Sequence, residues 1–262
     1  MLPLEGRSVR YAHFGSSRSF SGSYSSSSEY FRRIYDFHQM DFDAAFDQFM
    51  ILLSRNPSQV YKSSYYRKQT KNQWARDDPA FAVIQILLLT VSSCAYGVVF
   101  GVGGLWHYVI LVVQIVGIQY LGIGVIVASI GSWVANRQLV QHRAHAVAQQ
   151  VEWLYAFDIH TNAFFPTFLL LHVLQFFLLP LLLCRTYLAL VAANTLYAIA
   201  LSYYFYITHL GYRALPFLHN TEVYLYPVAL ILMLFIVSVF LGVIGQSVNM
   251  SRLMAHLFFS VQ

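Results

Sequence analysis

Long apolar runs fill the chain from residue 80 onward, and a polar stretch precedes them. The runs are Ala80–Phe100, Trp106–Ala135, Phe164–Cys184, Tyr187–Leu210 and Tyr226–Gln246. Each holds about 20 residues or more, the length at which an α-helix crosses a ~30 Å hydrocarbon core. The pattern predicts an all-α integral membrane protein: a bundle of five transmembrane helices with a partly helical cytosolic N-terminal region. The second run is long enough to tilt or to project beyond the bilayer. Small residues recur four apart at Gly97/Gly101, Gly124/Ala128, Ala189/Ala193 and Ser238/Gly242. Such pairs let helix backbones approach closely, and packing within one bundle is a simpler reading than a dimer interface.

Four regions follow from the pattern. Residues 1–29 carry the tract SSRSFSGSYSSSS and have no apolar signal core, so they are expected to be a disordered tail, with insertion beginning at the first internal span. Residues 30–79 form a cytosolic region, 80–247 the five-span bundle, and 248–262 a short lumenal tail. Within the second region Phe42, Phe46, Phe49, Met50 and Leu53 recur at helical spacing, Asp41 is placed to cap the start, and Pro57 ends the run. Asp43 and Asp47 make the polar face acidic. Surface-binding helices usually carry Lys and Arg there, so docking onto the spans or onto a partner is favoured over binding anionic lipid.

Composition agrees. The 262 residues are 58% hydrophobic and 10% charged, too little charge for a water-facing surface. Cys94 and Cys184 lie inside apolar runs and form no disulfide framework. Of the 16 Lys and Arg, 14 fall on the side of the N-terminus in a five-span topology; only Arg185 and Arg252 fall on the other. This bias places the N-terminus in the cytosol and the C-terminus in the lumen. Asn249-Met250-Ser251 is then a lumenal glycosylation sequon, but it stands too close to the fifth span to be used readily.

Three groups of residues carry candidate chemistry. The first is VEWLYAFDIHTNAFFP, which places Glu152, Trp153, Asp158, His160 and Asn162 before the third run. Ionisable groups beside a span are costly to desolvate and need a reason to be there. On a helix Asp158 and Asn162 share a face, while His160 points elsewhere. Capping by Asn162 and interfacial hydrogen bonding are favoured over catalysis, with a lipid-modifying site using Glu152, Asp158 and His160 as the alternative. His142 and His145 nearby have no standard ligand spacing. No HExxH or GxSxG pattern is present, so no catalytic residue, metal or cofactor is assigned and no soluble small-molecule substrate is inferred.

The second group is the basic-aromatic stretch with Lys62, Tyr66, Arg67, Lys68, Lys71, Trp74 and Arg76. It reads as a juxtamembrane anchor, with RNA binding as the weaker alternative. The third is the set of polar residues inside the spans, His172, Gln175, Asn194, Tyr203 and Tyr204, read as interhelical contacts. His172 and Gln175, three apart, can face one neighbour.

The segments YRKQTKNQWARDDPAF, VEWLYAFDIHTNAFFP and NTLYAIALSYYFYITHLGYRALPFLHNT together resemble the Unc-fifty (uncoordinated-fifty) family of eukaryotic membrane proteins. The resemblance covers roughly Phe31 to Pro227. It implies a five-span protein of the Golgi, also found at the inner nuclear membrane. It further implies a role in transport of nicotinic-type acetylcholine receptors and a link to Arf guanine-nucleotide exchange factors. RNA binding is associated with the family too. The partners it suggests are membrane lipid, exchange factors, receptor clients and, more weakly, RNA. It supplies no catalytic residues.

Overall fold

A computed structural model describes residues 40–141, 149–246 and 248–259. The Ser-rich tail, residues 30–39, and His142 and His145 lie outside the described residues.

Among the described residues, five helices are long and apolar enough to cross a membrane. Ahead of them, α1 (Phe42–Leu53) starts where the Asp41 carboxylate accepts the Ala44 N–H at 2.9 Å. A 3₁₀ turn over Pro57–Tyr61 leads into α2 (Lys62–Lys71), which stops at Asn72 in the left-handed conformation, φ 56°. The spans are α3 (Ala80–Val99), α4 (Leu105–Leu139), α5 (Trp153–Leu182), α6 (Tyr187–Arg213) and the last, Thr221–Val243, whose α-helical part is α7 (Tyr226–Val243). A final helix, α8 (Met250–Phe259), follows.

The third span is the centre of the bundle and the fifth is its edge. In their most apolar windows 39% of the α5 residues are buried inside the protein, against 0% for the fifth span. Small residues mark the close approaches. A Cβ at Gly124 of α4 would stand 2.6 Å from the His160 ring of α5, and one at Gly211 of α6 would stand 2.6 Å from Ile159. Gly242 of α7 backs onto Tyr187 and Leu190 of α6. These contacts all lie within one bundle. The connection after α4 pairs with the one after α6: Gln141 donates its backbone N–H to the Phe217 carbonyl and His219 donates to Leu139.

The all-α five-span expectation is met, with corrections in detail. The third helix begins at Trp153 rather than Phe164. Asp158, His160 and Asn162 lower local hydropathy, but each finds partners in the protein, so the helix runs through them. Asn162 is therefore not a cap; it sits in mid-helix. The C-terminal tail is helical. In α8 the Asn249 side chain accepts the Arg252 N–H at 3.0 Å, and Arg252 Nε donates to the Leu183 carbonyl at the end of α5. Phe259 stacks on Phe100 at 4.2 Å, so α8 packs across the end of the bundle opposite α1.

α1 docks on the spans. Ala45, Phe49 and Leu52 are buried, and the Phe49 ring lies 4.4 Å from Phe81 of α3 and 4.2 Å from Phe165 of α5.

Candidate functional site

The sequence Trp74-Ala75-Arg76 crosses α5 just before the first span, and all three backbone N–H groups end on carboxylates of the third helix region. Glu152 accepts from Trp74 at 3.0 Å through Oε1 and from Ala75 at 3.1 Å through Oε2. Asp158 Oδ2 accepts from Arg76 at 2.7 Å. A connecting loop exposes orphan donors, and two acids six residues apart, half-buried Glu152 and buried Asp158, satisfy them here.

The Arg76 guanidinium then completes the clamp. Its Nε lies 3.4 Å from Asp158 Oδ1, and the two side chains are 12% and 6% exposed. Nη2 donates to the Asp158 carbonyl, to Thr161 Oγ1 and to Asn162 Oδ1 at 3.2, 3.1 and 2.8 Å. Nη1 donates to Gln48 Oε1 of α1 at 2.8 Å, and Gln48 Nε2 returns to Asn162 Oδ1 at 2.7 Å. The charged plane rests on the Phe81 ring at 4.7 Å. A buried ion pair repays its desolvation only when its remaining donors are also used, and this one uses them. Asp78 ties the ends together: one oxygen accepts the Asp41 N–H at 2.7 Å and the other accepts Ala80 N–H at 2.9 Å. The starts of α1 and α3 thus share one carboxylate.

Around the clamp the head is sealed by aromatics. Trp74 is 3% exposed and packs against Tyr65, Tyr155 and Phe217. The Tyr61 hydroxyl donates to the Ile207 carbonyl of α6 at 3.2 Å, and burial pushes that phenol up from its ordinary range. Arg67 reaches back from α2 to the Trp74 carbonyl and to Ser64 Oγ; burial lowers its guanidinium, with Asp158 opposing. Lys71 and Gln73 both bond Asp77.

His160 belongs to a separate network on another face of α5. Its Nε2 lies 3.1 Å from the Tyr120 carbonyl of α4, and its Nδ1 lies 2.7 Å from the Tyr204 hydroxyl of α6. A carbonyl only accepts, so Nε2 carries the proton; in the neutral ring Nδ1 accepts from Tyr204. His160 is thus a pin between three spans. Asp158, His160 and Asn162 are 4%, 1% and 3% exposed. Asp158 and Asn162 converge on Arg76, Glu152 serves the adjoining loop, and His160 converges on neither. The proposed lipid-modifying set is therefore divided by helix geometry and covered by protein. Among the described residues no group of three or more His, Cys, Asp or Glu could hold a metal ion.

The basic-aromatic stretch is not one surface. Trp74 and Arg76 face inward, Arg67 is half-buried, and Lys68 donates to the Asn72 carbonyl. Lys62, Tyr66 and Lys71 stay exposed. Two members of the stretch, Trp74 and Arg76, are thus withdrawn from any basic–aromatic surface, and Trp74 is a core residue rather than a headgroup anchor. Trp153 is partly exposed and donates its indole N–H to Ser129 of α4 at 3.0 Å.

Inside the spans, Asn194 donates to Ser238 and to the Val248 carbonyl and accepts the Met250 N–H, joining α6 to α7 and α8. Tyr203 donates to the Leu52 carbonyl of α1 at 3.3 Å. His172 meets Ser92 of α3 at 3.5 Å, while Gln175 is fully buried beside Tyr197 of α6. His172 lies within a wide helical turn over Leu169–Leu174 and lines a small cavity together with Tyr197.

Gln48, Thr161, Asp78 and Asn136 complete the site without having been singled out by sequence. Gln48 had a signal, being polar on the edge of an amphipathic face. Asn136 bonds both backbone groups of Val151 and fixes the entry to α5, a pairing with no local sequence mark.

The profile of the UNC-50 family matches residues 30–259, which include every element of the clamp. The chain belongs to the UNC-50 family. "Protein unc-50 homolog" of Dictyostelium discoideum is 46% identical over 251 residues, covering 92% of this chain and 94% of that protein. The human and rat proteins of the same name are 42% and 43% identical over 215 residues, covering 82% of each chain. No solved structure matches. The matched residues hold both the clamp and the His160 pin of this chain.

Proposed function

We propose that this UNC-50 family member is a non-enzymatic Golgi trafficking factor. It supports delivery of cell-surface receptors of the nicotinic type and presents its head to Arf exchange-factor machinery. The transport role, the Golgi address and these partners come from the family resemblance. The N-terminus is cytosolic in this reading, which the Lys and Arg distribution supports.

One observation carries the division of labour. Residues 40–79 are held against the bundle by the Arg76 clamp, so the head is a rigid platform rather than a tethered tail. Its outer face offers exposed Lys62, Tyr66 and Lys71 on α2, suited to contact with a soluble protein. Asp158, Thr161 and Asn162 of α5 are engaged in holding the platform, and His160 is engaged elsewhere, which leaves no open carboxylate pair on α5 for lipid chemistry.

The test separates platform from surface. Tyr66→Ala with Lys62→Ala leaves the clamp intact and is expected to lower exchange-factor recruitment to Golgi membranes and receptor arrival at the cell surface, with normal protein levels. Unchanged recruitment and delivery in that variant would refute the platform reading.

A further inference from the structure

A small polar cavity lies inside the bundle, where α3, α4, α5, α6 and α8 meet. Tyr96, Gln119, His172 and Tyr197 contribute its polar wall, and α8 closes one side with Met254 and Phe258. His172 stands ten residues before the end of α5 at Leu182, roughly 15 Å at 1.5 Å per residue, which is the middle of a ~30 Å core. Two wide, π-type turns border the cavity. Gln119 lies in the one over Val113–Gly122 of α4, and His172 in the one over Leu169–Leu174 of α5. Such turns are rare and recur at functional sites. Here both deliver a polar side chain to one space.

The hydrogen bonds around this space are incomplete. Gln175, one turn beyond His172, is fully buried beside Tyr197, and neither its Oε1 nor its Nε2 has a partner among the described residues. The His172 ring uses Nδ1 for Ser92 of α3, and the Tyr96 hydroxyl goes to the Leu171 carbonyl at 3.3 Å. A primary amide has two donors and two lone pairs, and hydrocarbon offers them nothing.

We propose that the cavity binds a small cluster of ordered water molecules that bridges Gln175 to Tyr197, Gln119 and His172, tying α4, α5 and α6 together in the membrane interior beneath α8. The space open to water centres is about 40 Å³, against the ~10–15 Å³ that one water needs, so a few waters fit. Polarity rather than size identifies the occupant. An acyl chain in the same space would leave two amides and an imidazole against hydrocarbon without partners, whereas water both donates and accepts. The wall carries no carboxylate, which suits a neutral ligand over a cation. This inference does not depend on the trafficking role.

The test is X-ray radiolytic footprinting of the full chain in phosphatidylcholine nanodiscs, because hydroxyl radicals formed from bound water oxidise the side chains it touches. Tyr96, 3% exposed, is expected to be oxidised at least fivefold faster than Tyr155, which is 1% exposed and lies outside the cavity. Ile115→Phe fills the cavity and should bring Tyr96 down to the Tyr155 rate; Gln119→Leu, which removes a polar partner, replaces it if Ile115→Phe fails to fold. Equal rates for Tyr96 and Tyr155 in the parent overturn the proposal, as does undiminished Tyr96 oxidation in the folded variant. A phospholipid that the parent retains in native mass spectrometry and the variant loses would put an acyl chain in the cavity, and overturns it as well.

Discussion

Arg76 and Asp158, 82 residues apart, meet twice: the backbone N–H of Arg76 donates to Oδ2 at 2.7 Å, and its guanidinium pairs with Oδ1 at 3.4 Å. Removing either partner leaves the other charge buried, which costs about 3–5 kcal/mol. We expect Arg76→Ala and Asp158→Ala each to lower the melting temperature of the detergent-purified protein strongly. Arg76→Lys should rescue little, because a single ammonium cannot reach Gln48, Thr161 and Asn162 together.

Glu152 holds Trp74 and Ala75 by their backbone N–H groups. Glu152→Ala frees the loop without leaving a buried charge behind. The expected outcome is faster tryptic cleavage after Lys71 and Arg76 in the folded protein, by tenfold or more, with only a modest fall in global stability. Unaltered cleavage kinetics would show that the loop is held by the Arg76 contacts alone.

The His160 pin can be tested as a pair. Tyr204→Phe removes one hydrogen bond and should cost about 1 kcal/mol, and His160→Ala should cost more because it also opens a cavity. In a double-mutant cycle the two are expected to couple by 0.5 kcal/mol or more, since they share one contact. Additive effects in thermal denaturation would count against the hydrogen bond.

Gly124 gives a steric test of the same region. A Cβ there would stand 2.6 Å from the buried His160 ring. Gly124→Ala is expected to destabilise despite the better helix propensity of alanine, a reversal of the usual sign that unfolding measurements would detect.

Much of this fold was legible because hydropathy reports it directly. Five runs, their order and the amphipathic face of α1 follow from periodicity. The start of α5 did not, because hydropathy records where apolar residues begin and not where a helix begins. Asp158 and Asn162 are expensive in lipid but inexpensive beside Arg76, and the position of Arg76 is set by a fold that no local window contains. The face-sharing of Asp158 with Asn162, and the separation of His160, were legible from helical spacing. The burial of Trp74 was not: in sequence a tryptophan beside lysines before a span looks like an interfacial anchor, and only the closure of the head over α5 turns it into core.

Asn249 shows the same limit at the other end. It is 6% exposed and donates Nδ2 to the Leu182 carbonyl at 2.9 Å. We expect no glycan there, so treatment with an N-glycosidase should leave the gel mobility of the protein unchanged, while Asn249→Ala should lower stability by about 1–2 kcal/mol through the lost α8 cap.

The clamp also fixes an order of events during synthesis. Arg76 is made before the first span, but its acceptors at 158, 161 and 162 belong to the third. The head cannot close until two spans have been inserted and the ribosome has passed residue 162, so the N-terminal platform is the last part of this half of the molecule to settle, although it is the first to be translated.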